Sequence, residues 1–303
     1  MKKIKEIKED EEAPLLEEIK FKSQAAMEYL MTYGWAILII ALSLVVLYSL
    51  GIMNPKNFIP RAPPGSCFVF RPNGPGTTDF ISLQGTCGYL PMYVASFNGV
   101  SSYVVVPDSA GLDVTNAITI VAWVNARDLI TNTGVLEKRD SNPDGYGWMS
   151  GYADNKIYFE AVSLGIYVTS SILKTNTWYH LASTYSSADA KARFYVNGVI
   201  TSEQSISGSI ATTTARLFIG SRGIGNSPSG FFNGSIANVQ IYNTALTPQE
   251  IQYLYQQGLG GGPVRLQNLV AWWPLNGDAK DYSGNNLHGT IYGVTFVQNY
   301  NPP

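Results

Sequence analysis

The hydrophobic and polar positions of the chain fall into two zones. Residues 33–53 form an unbroken run of twenty-one residues without a charge, whereas short apolar stretches alternate with polar turns from residue 92 onward. A helix over the first zone is long enough to cross a hydrocarbon layer of roughly 30 Å, since each residue rises about 1.5 Å. The second zone predicts short antiparallel strands, because half-buried strands alternate apolar and polar positions. The pattern therefore predicts an apolar helix followed by a large β domain.

The predicted helix covers residues 24–53, and its flanks predict an orientation across a membrane. Six lysines precede the apolar run, and only Lys56, Arg61 and Arg71 follow it within about twenty residues. Basic residues close to a span stay on the cytoplasmic side. Residues 1–23 are therefore expected in the cytoplasm and the C-terminal domain outside the cell.

The start of this helix resembles the class III signal peptides of archaeal type IV pilin-like proteins. Two lysines precede the pair Ser23-Gln24, Glu28 follows Gln24 by four residues, and the apolar run comes next. The resemblance implies that a prepilin peptidase cuts between Ser23 and Gln24. It also implies that Glu28 pairs with the new α-amino group of a like subunit, because an unpaired carboxylate in a bilayer costs about 2.5 kcal/mol or more. The implied partners are a membrane, the pilus assembly machinery and like subunits; the alternative is an uncleaved signal-anchor.

Proline and glycine punctuate residues 54–91, which predicts a spacer, or stalk, with two short strands at SCFVF and FISLQG. Cys67 and Cys87 enclose nineteen residues, and outside a membrane they are expected to form a disulfide worth roughly 3 kcal/mol. Two unpaired thiols are the alternative for the cysteines. A reduced pilin head is the alternative for the segment.

Strand signals recur at short intervals between residues 92 and 258, with turn residues between them. Asn197-Gly198 predicts a two-residue hairpin, because both residues tolerate the positive φ of a type I′ turn. The string TPQE at residues 247–250 predicts the start of a short helix, since it forms a capping box with proline at the first helical position. Regular short strands with one helix predict a β-sandwich or jelly roll.

The order of the strands resembles the laminin-G-like, concanavalin A-like family of jelly rolls. Within residues 92–258 the series runs FNGVSSYVVVP, ITIVAWV, TWYHLASTY, RFYVNGV, LFIGS and FNGSIANVQIYN. The expected fold class is therefore mainly β, with an N-terminal transmembrane helix followed by a concanavalin A-like jelly-roll sandwich. Trp123, Trp178 and Phe218 are expected as core residues of the two sheets rather than as sugar-stacking residues.

Residues 264–299, which follow a glycine-rich linker, resemble the beginning of a laminin-G-like domain. In the family this part precedes the FNGVSSYV strand, whereas here it comes last. We expect a circular permutation in which residues 264–299 supply the missing strands of one sandwich over residues 92–303, because the termini of a sandwich tend to lie close together. A second repeat truncated after its opening strands is the alternative.

The oxygen-rich turn DAKDYSGNN at residues 278–286 is the strongest candidate for a metal site. The resemblance implies calcium held by Asp281, Asn285 and the backbone around Ser283, since calcium takes six to eight oxygen ligands. A strand that often carries acids in the family reads IANV here, which removes one carboxylate. A plain turn rich in Asx residues is therefore the alternative.

Ligands are expected at the loop rims of the sandwich, because loops carry function more readily than the sheets that hold them. The loops over residues 140–148 and 222–232 combine aromatic and amide side chains. The candidate ligand-binding residues are Tyr146, Trp148, Asn226 and Phe231.

The composition argues against two classes of function. A net charge of −2 without a basic patch makes nucleic acid an unfavoured partner. Hydrolysis of a glycan requires two carboxylates that face one sugar, and no strand carries such a pair at alternate positions. Glu137 and Glu160 are expected as isolated strand-surface residues, and His180 as a packed strand residue. The chain is therefore expected not to be an enzyme, with a glycoside hydrolase as the unfavoured alternative.

Together these features predict a cell-surface protein, either anchored in the cell membrane or carried on a filament. Charged residues make up only 14% of the chain, against about 25% in typical soluble domains, which fits uncharged strand faces. The extracellular domain is expected to bind a glycan or a surface protein in adhesion or recognition. The alternative is a structural pilus subunit whose β domain coats the fibre without binding.

Overall fold

The structure is a computed structural model, and it describes residues 31, 33–46, 67–72, 78–83, 91–129, 132–140, 144–151, 154–223, 226–298 and 300. The chain divides into two compact units, Met1–Arg61 and Ala62–Pro303. Ser23, Gln24 and Glu28, on which the predicted cleavage and assembly depend, lie outside the described residues.

The first unit contains an apolar helix, α1, over residues 33–46. Its described side chains are all exposed, including Trp35 and Ile37 at 65% each. Ser43 donates its hydroxyl to the carbonyl of Ile39 at 2.6 Å, so this polar side chain is satisfied within the helix. No helix among the described residues is long and apolar enough to cross a membrane. The predicted span over residues 24–53 therefore stays a prediction.

The second unit begins with a two-stranded antiparallel sheet. Strand β1 covers Cys67–Pro72 and strand β2 covers Thr78–Leu83, and Cys67 lies opposite Leu83. These two strands correspond to the two short strands predicted in the spacer. Cys87 lies outside the described residues, so its disulfide with Cys67 stays a prediction.

Two larger sheets form a β-sandwich. Sheet I contains β3 (Val94–Asn98), β5 (Ala117–Ala126), β10 (Trp178–Ser186), β11 (Lys191–Val196), β12 (Val199–Ser205), β14 (Asn233–Tyr242), β15 (Leu269–Trp273) and β17 (Thr295–Val297). Sheet II contains β4 (Tyr103–Val106), β6 (Gly134–Arg139), β7 (Gly145–Ser150), β8 (Ile157–Ala161), β9 (Ile166–Thr169), β13 (Leu217–Ile219) and β16 (Thr290–Tyr292). The strand order is β12-β11-β10-β5-β14-β3-β17 in sheet I, where β15 also pairs with β14, and β16-β4-β13-β6-β7-β8-β9 in sheet II. Short 3-10 turns lie at Ala110–Leu112, Val162–Leu164 and Leu266–Asn268.

The main core lies between the two sheets. Because successive side chains of a strand point to opposite faces, each sheet contributes one apolar face to this layer. The largest fully buried side chains of the shared cluster are Trp148, Trp273, Tyr146 and Tyr185. The structure therefore confirms a mainly β sandwich consistent with a jelly roll.

Two local signals from the sequence have the structures that they predict. Asn197 and Gly198 have φ values of 51° and 80° and connect β11 to β12. Helix α2 covers Pro248–Gln256, and its capping box joins Thr247 to Glu250 in both directions. Gly258 follows the helix with a φ of 74°, a left-handed conformation that favours glycine.

The C-terminal segment completes both sheets of this sandwich. In sheet I, β15 pairs with β14 and β17 pairs with β3, while β16 pairs with β4 in sheet II. Without these strands one side of β3 and one side of β4 would expose unpaired backbone groups, which are costly when buried and prone to aggregation when exposed. Strands of residues 264–299 thus pair with strands of both sheets.

Three predicted core aromatics are buried, but they do not lie between the sheets. Trp123 and Trp178 are on the outer face of sheet I, where they cluster with Leu259 of the linker that follows α2. Phe218 is on the outer face of sheet II beside Tyr103. The prediction that these residues are buried core residues of the sheets is confirmed, and the structure adds that their rings lie on the outer faces. Strand alternation directs these rings outward, and other parts of the chain cover them.

Candidate binding surface

The turn at residues 281–285 is built around the carboxylate of Asp281. Its Oδ1 atom accepts hydrogen bonds from the backbone N–H groups of Trp272 and Ser283, both at 2.9 Å. Its Oδ2 atom accepts from the hydroxyl of Ser283 at 2.8 Å and from the N–H of Leu287 at 2.9 Å. Four donors therefore occupy the two oxygens that were predicted to face calcium.

Asn285, the second predicted calcium ligand, is also engaged within the turn. Its amide nitrogen donates to the carbonyls of Leu269 and Val270 at 3.0 and 2.8 Å. Among the described residues no group of three His, Cys, Asp or Glu side chains is placed to hold a metal ion. Since N–H and O–H groups point at the carboxylate where a cation would bind, the geometry fits a self-contained Asx turn better than a calcium site.

Two of the four predicted ligand-binding residues are inside the sandwich. Tyr146 is 2% exposed and donates its hydroxyl to the carbonyl of Leu112 at 3.0 Å. Trp148 is fully buried and donates its indole N–H to the hydroxyl of Ser183 at 2.7 Å. The structure contradicts the prediction that they contact a ligand. Both residues occupy alternate positions of β7 that face the core.

The other two residues belong to the loop that follows β13. Asn226 is exposed, and its Oδ1 atom accepts a hydrogen bond from the backbone N–H of Arg216 at 2.8 Å. Its φ of 65° is left-handed, a conformation that asparagine tolerates better than most residues. Phe231 is half-buried, and its ring centroid lies 6.1 Å from that of Tyr103.

Phe231 is part of a group of four aromatic residues on the outer face of sheet II, which we name the aromatic patch. The ring centroids of Tyr103 and Tyr292 lie 4.8 Å apart with an interplanar angle of 12°. The ring centroid of Phe218 lies 5.8 Å from that of Tyr103, and the buried Phe218 ring lies beneath the patch. Tyr292 is 47% exposed. The patch therefore presents the exposed ring of Tyr292, stacked on the half-buried ring of Tyr103 and next to the half-buried ring of Phe231.

Beside the patch lies a group of four charged residues, which we name the ionic cluster. The Nε atoms of Arg139 and Arg222 lie 3.7 and 3.6 Å from Oε1 of Glu137. The Nη1 atom of Arg139 lies 3.4 Å from Oε2 of Glu160. The side chains of Glu137 and Glu160 are only 4% and 7% exposed. The prediction that the two glutamates are isolated surface residues is therefore wrong.

Gly147 explains why the two glutamates come together. It lies opposite Glu137 in β6 and opposite Glu160 in β8. A Cβ atom at Gly147 would lie 2.9 Å from Cγ of Glu137, so only glycine leaves room for this side chain. Burial raises the pKa of the Glu160 carboxyl, although Arg139 and Arg222 act to lower it.

The ionic cluster holds the loop that carries Phe231. The backbone N–H of Gly223 donates to Oε2 of Glu137 at 2.9 Å, and Arg222 also contacts Asn132 at 3.3 Å. Because these contacts occupy the buried glutamates, the cluster is suited to positioning the loop rather than to acid–base chemistry on a ligand. Sequence reasoning missed Tyr103, Tyr292 and the cluster, since they come together only through strand pairing.

Comparison with protein families gives one match. A laminin G family model, described as the concanavalin A-like lectin/glucanases superfamily, matches residues 98–252. This range covers β4 to β14 and the start of α2. A comparison with proteins of curated function finds no match.

The chain is similar to several solved structures. A proposed carbohydrate-binding protein from Bacteroides ovatus is 19% identical with a TM-score of 0.57, and the alignment covers 75% of this chain but only 65% of that protein. A heptameric pentraxin from Limulus polyphemus is 15% identical with a TM-score of 0.47, covering 68% of this chain and 94% of the pentraxin. Domain 4 of an arabinanase from Geobacillus stearothermophilus, solved with arabinotriose, is 22% identical with a TM-score of 0.43, covering 63% of this chain and 82% of that domain.

Proposed function

This chain belongs to the concanavalin A-like lectin/glucanases superfamily, and we propose that it is a surface recognition protein whose aromatic patch binds a carbohydrate. The observation that carries the proposal is the stacked pair of Tyr103 and Tyr292, with Tyr292 47% exposed. Aromatic rings offer a large, rigid contact area at low conformational cost, and binding sites in proteins are rich in them. The exposed ring of Tyr292, held in place by its stack on Tyr103, therefore suits the flat apolar face of a sugar.

The surroundings of the patch favour binding because they fix its shape. Glu137 holds the backbone of Gly223 at 2.9 Å, and the parallel bridge between Gly134 and Phe231 ties the far end of the loop to the edge of β6. A surface that is rigid before binding loses less conformational entropy when a ligand binds. The proposed role of the Bacteroides ovatus protein points to the same ligand class.

A glycan array tests this proposal with the full-length protein in detergent. The variant Tyr292→Ala removes the exposed ring, and Tyr253→Ala is a matched control because Tyr253 is 45% exposed on α2, away from the patch. We expect the wild type and Tyr253→Ala to bind the same glycans and Tyr292→Ala to lose them. Binding that persists in Tyr292→Ala would exclude the patch as the site.

We further propose that the apolar helix anchors the protein in the cell membrane or in a cell-surface filament, with the sandwich outside the cell. The exposed apolar side chains of α1 support this role, since they need a covering of lipid or of neighbouring helices. Cleavage between Ser23 and Gln24 predicts a mature chain that begins with Gln24, which mass spectrometry of the protein from membranes would detect. Glu28→Ala should leave insertion intact and weaken assembly; unchanged assembly would leave a simple anchor.

The alternative function is that of a structural pilus subunit whose sandwich binds no ligand. Filaments that form normally while no glycan or surface protein binds would favour that function. A hydrolase is less favoured, because Glu137 and Glu160 share Arg139 and are nearly inaccessible. Turnover of a polysaccharide that is lost in Glu160→Gln would favour it.

A further inference from the structure

A polar cleft of about 340 Å³ lies where the C-terminal segment meets the main part of the sandwich. The 3-10 turn before β5 and the end of β14 supply one wall, and the segment after the linker supplies the other. The lining residues used below are Ser109, Gly111, Asn243, Gln267, Asn285 and Leu287. The cleft exists only because the C-terminal segment folds back onto this sandwich. Its volume falls within the range of about 300–1,000 Å³ typical of small-molecule sites.

The amide side chains of the cleft keep hydrogen-bonding groups that the protein does not use. Asn285 donates from its nitrogen to two backbone carbonyls, and no described residue donates to its Oδ1 atom. Asn243 accepts at Oδ1 from Asn268 at 2.9 Å, which leaves its own NH₂ group available. The cleft therefore contains at least one spare acceptor and one spare donor from these two residues.

Two further residues of the cleft also have unused hydrogen-bonding groups. Gln267 is exposed and makes no side-chain hydrogen bond within the described part of the chain, so both ends of its amide are available. The hydroxyl oxygen of Ser109 accepts a long hydrogen bond from the N–H of Gly111 at 3.3 Å, and its proton remains available for a ligand. Leu287 supplies an apolar contact in the same wall.

The lining selects the class of ligand. None of the described lining residues carries a charge, so neither an anion nor a cation would find a charged partner. The lining combines donors and acceptors with aliphatic side chains, which is what a neutral molecule with several hydroxyl groups requires. We propose that this cleft is a second binding site for a neutral saccharide, independent of the aromatic patch. The inference rests on the proposed function in one respect only, which is that the neutral ligand is a carbohydrate.

The experiment uses the full-length protein in detergent, with maltotriose, cellotriose and mannotriose as probes in titration calorimetry. Gly111→Leu fills the cleft, and the fold should tolerate it because a Cβ atom at Gly111 meets only the Ser109 hydroxyl at 3.8 Å. Gln267→Ala removes a free amide, and Gln256→Ala on α2 is the matched control, since both glutamines are exposed. Unchanged melting temperatures would show that each variant is folded.

We expect at least one probe to bind the wild type and Gln256→Ala equally. Gly111→Leu should abolish the heat of saccharide binding at this cleft. Gln267→Ala should weaken the affinity about tenfold, because one or two hydrogen bonds to the ligand are lost. The variant Tyr292→Ala should leave the site unchanged. Equal binding in wild type, Gly111→Leu and Gln267→Ala would overturn the proposal, and so would the absence of binding by every probe. If Tyr292→Ala lost binding and Gly111→Leu did not, the saccharide would bind at the aromatic patch alone. That result would support the proposed function and overturn the second site.

Discussion

The indole nitrogen of Trp272 donates a hydrogen bond of 2.7 Å to the Oδ1 atom of Asn238. Trp272 belongs to β15 of the C-terminal segment, and Asn238 lies in a bulge of β14 with a left-handed φ of 53°. The amide nitrogen of Asn238 also donates to the carbonyl of Gly261 in the linker at 2.8 Å. One asparagine thus joins the middle of the sandwich to both the linker and the final strands.

Removing the amide of Asn238 should destabilise the domain. In Asn238→Gly the backbone keeps its left-handed conformation, but the buried indole N–H of Trp272 loses its acceptor, which costs about 1–3 kcal/mol. Urea denaturation measures the loss. Asn286→Gly is the matched control, since Asn286 has a φ of 60° and is exposed. Equal stability of the two variants would contradict the assigned role of the Trp272–Asn238 bond.

A chain shortened to end at Gly258 should lose its cooperative unfolding transition. It would lack β15, β16 and β17, and with them the inward ring of Trp273 and the outer cover formed by Trp272. Deletion would leave unpaired edges on β3 and β4 and a cavity in the core, both of which are strongly destabilising. Circular dichroism during heating measures this. A shortened chain as stable as the full one would show that the C-terminal segment is dispensable.

Calcium should leave the melting temperature of the wild type unchanged, because four donors already occupy the carboxylate of Asp281. Asp281→Ala should lower the melting temperature equally with calcium and with a chelator, since it strands the buried N–H groups of Trp272 and Ser283. If calcium stabilised the wild type and not Asp281→Ala, the turn would be a metal site after all. A ligand at one hundred times its Kd stabilises by about 2.7 kcal/mol, which this assay detects easily.

The stability of the sandwich should fall as the pH is lowered below about 6.5. Burial lowers the pKa of His180 to about 3 in the folded protein, whereas an unfolded histidine has a pKa of about 6.5. Between pH 6.5 and pH 3 the unfolded chain therefore binds a proton that the folded chain does not. Each pH unit in this window then costs up to about 1.4 kcal/mol. The raised pKa of Glu160 acts in the opposite sense, because its burial penalty disappears on protonation.

Comparison with His180→Phe at each pH separates the two contributions. The phenylalanine keeps an aromatic ring at the position 5.4 Å from Trp123 and has no proton to bind. We expect its stability to vary less between pH 6.5 and 4 than that of the wild type. Identical pH profiles would mean that His180 does not carry the dependence.

Much of the fold follows from local chemistry in the sequence. The turn at Asn197-Gly198 and the capping box at Thr247 need only their own residues, and both form. The strand pattern predicts the sandwich because the period of two is a property of each strand alone. The resemblance of residues 264–299 to the opening of a related domain predicts strands that complete one sandwich, and β15, β16 and β17 pair with β14, β4 and β3.

The site was harder to predict because it depends on which strands become neighbours. Glu137 and Glu160 look unrelated in the sequence, yet both oppose Gly147. Tyr146 and Trp148 look like loop aromatics, although their strand turns them into the core. Lys138 also faces inward, where Asp108 and Asp113 hold its ammonium group at 2.8 and 2.9 Å. The period of each strand shows which side chains share a face, but it does not show which strands become neighbours.

Titration calorimetry of the full-length protein with its strongest glycan ligand from the array tests most directly whether the aromatic patch binds a carbohydrate. Aromatic residues that act as hot spots of binding contribute about 2 kcal/mol or more, so Tyr292→Ala should weaken the affinity about tenfold or more. Tyr253→Ala, with an equally exposed ring on α2, should bind like the wild type. Equal affinity of all three folded proteins would contradict the assignment of the patch as the binding site.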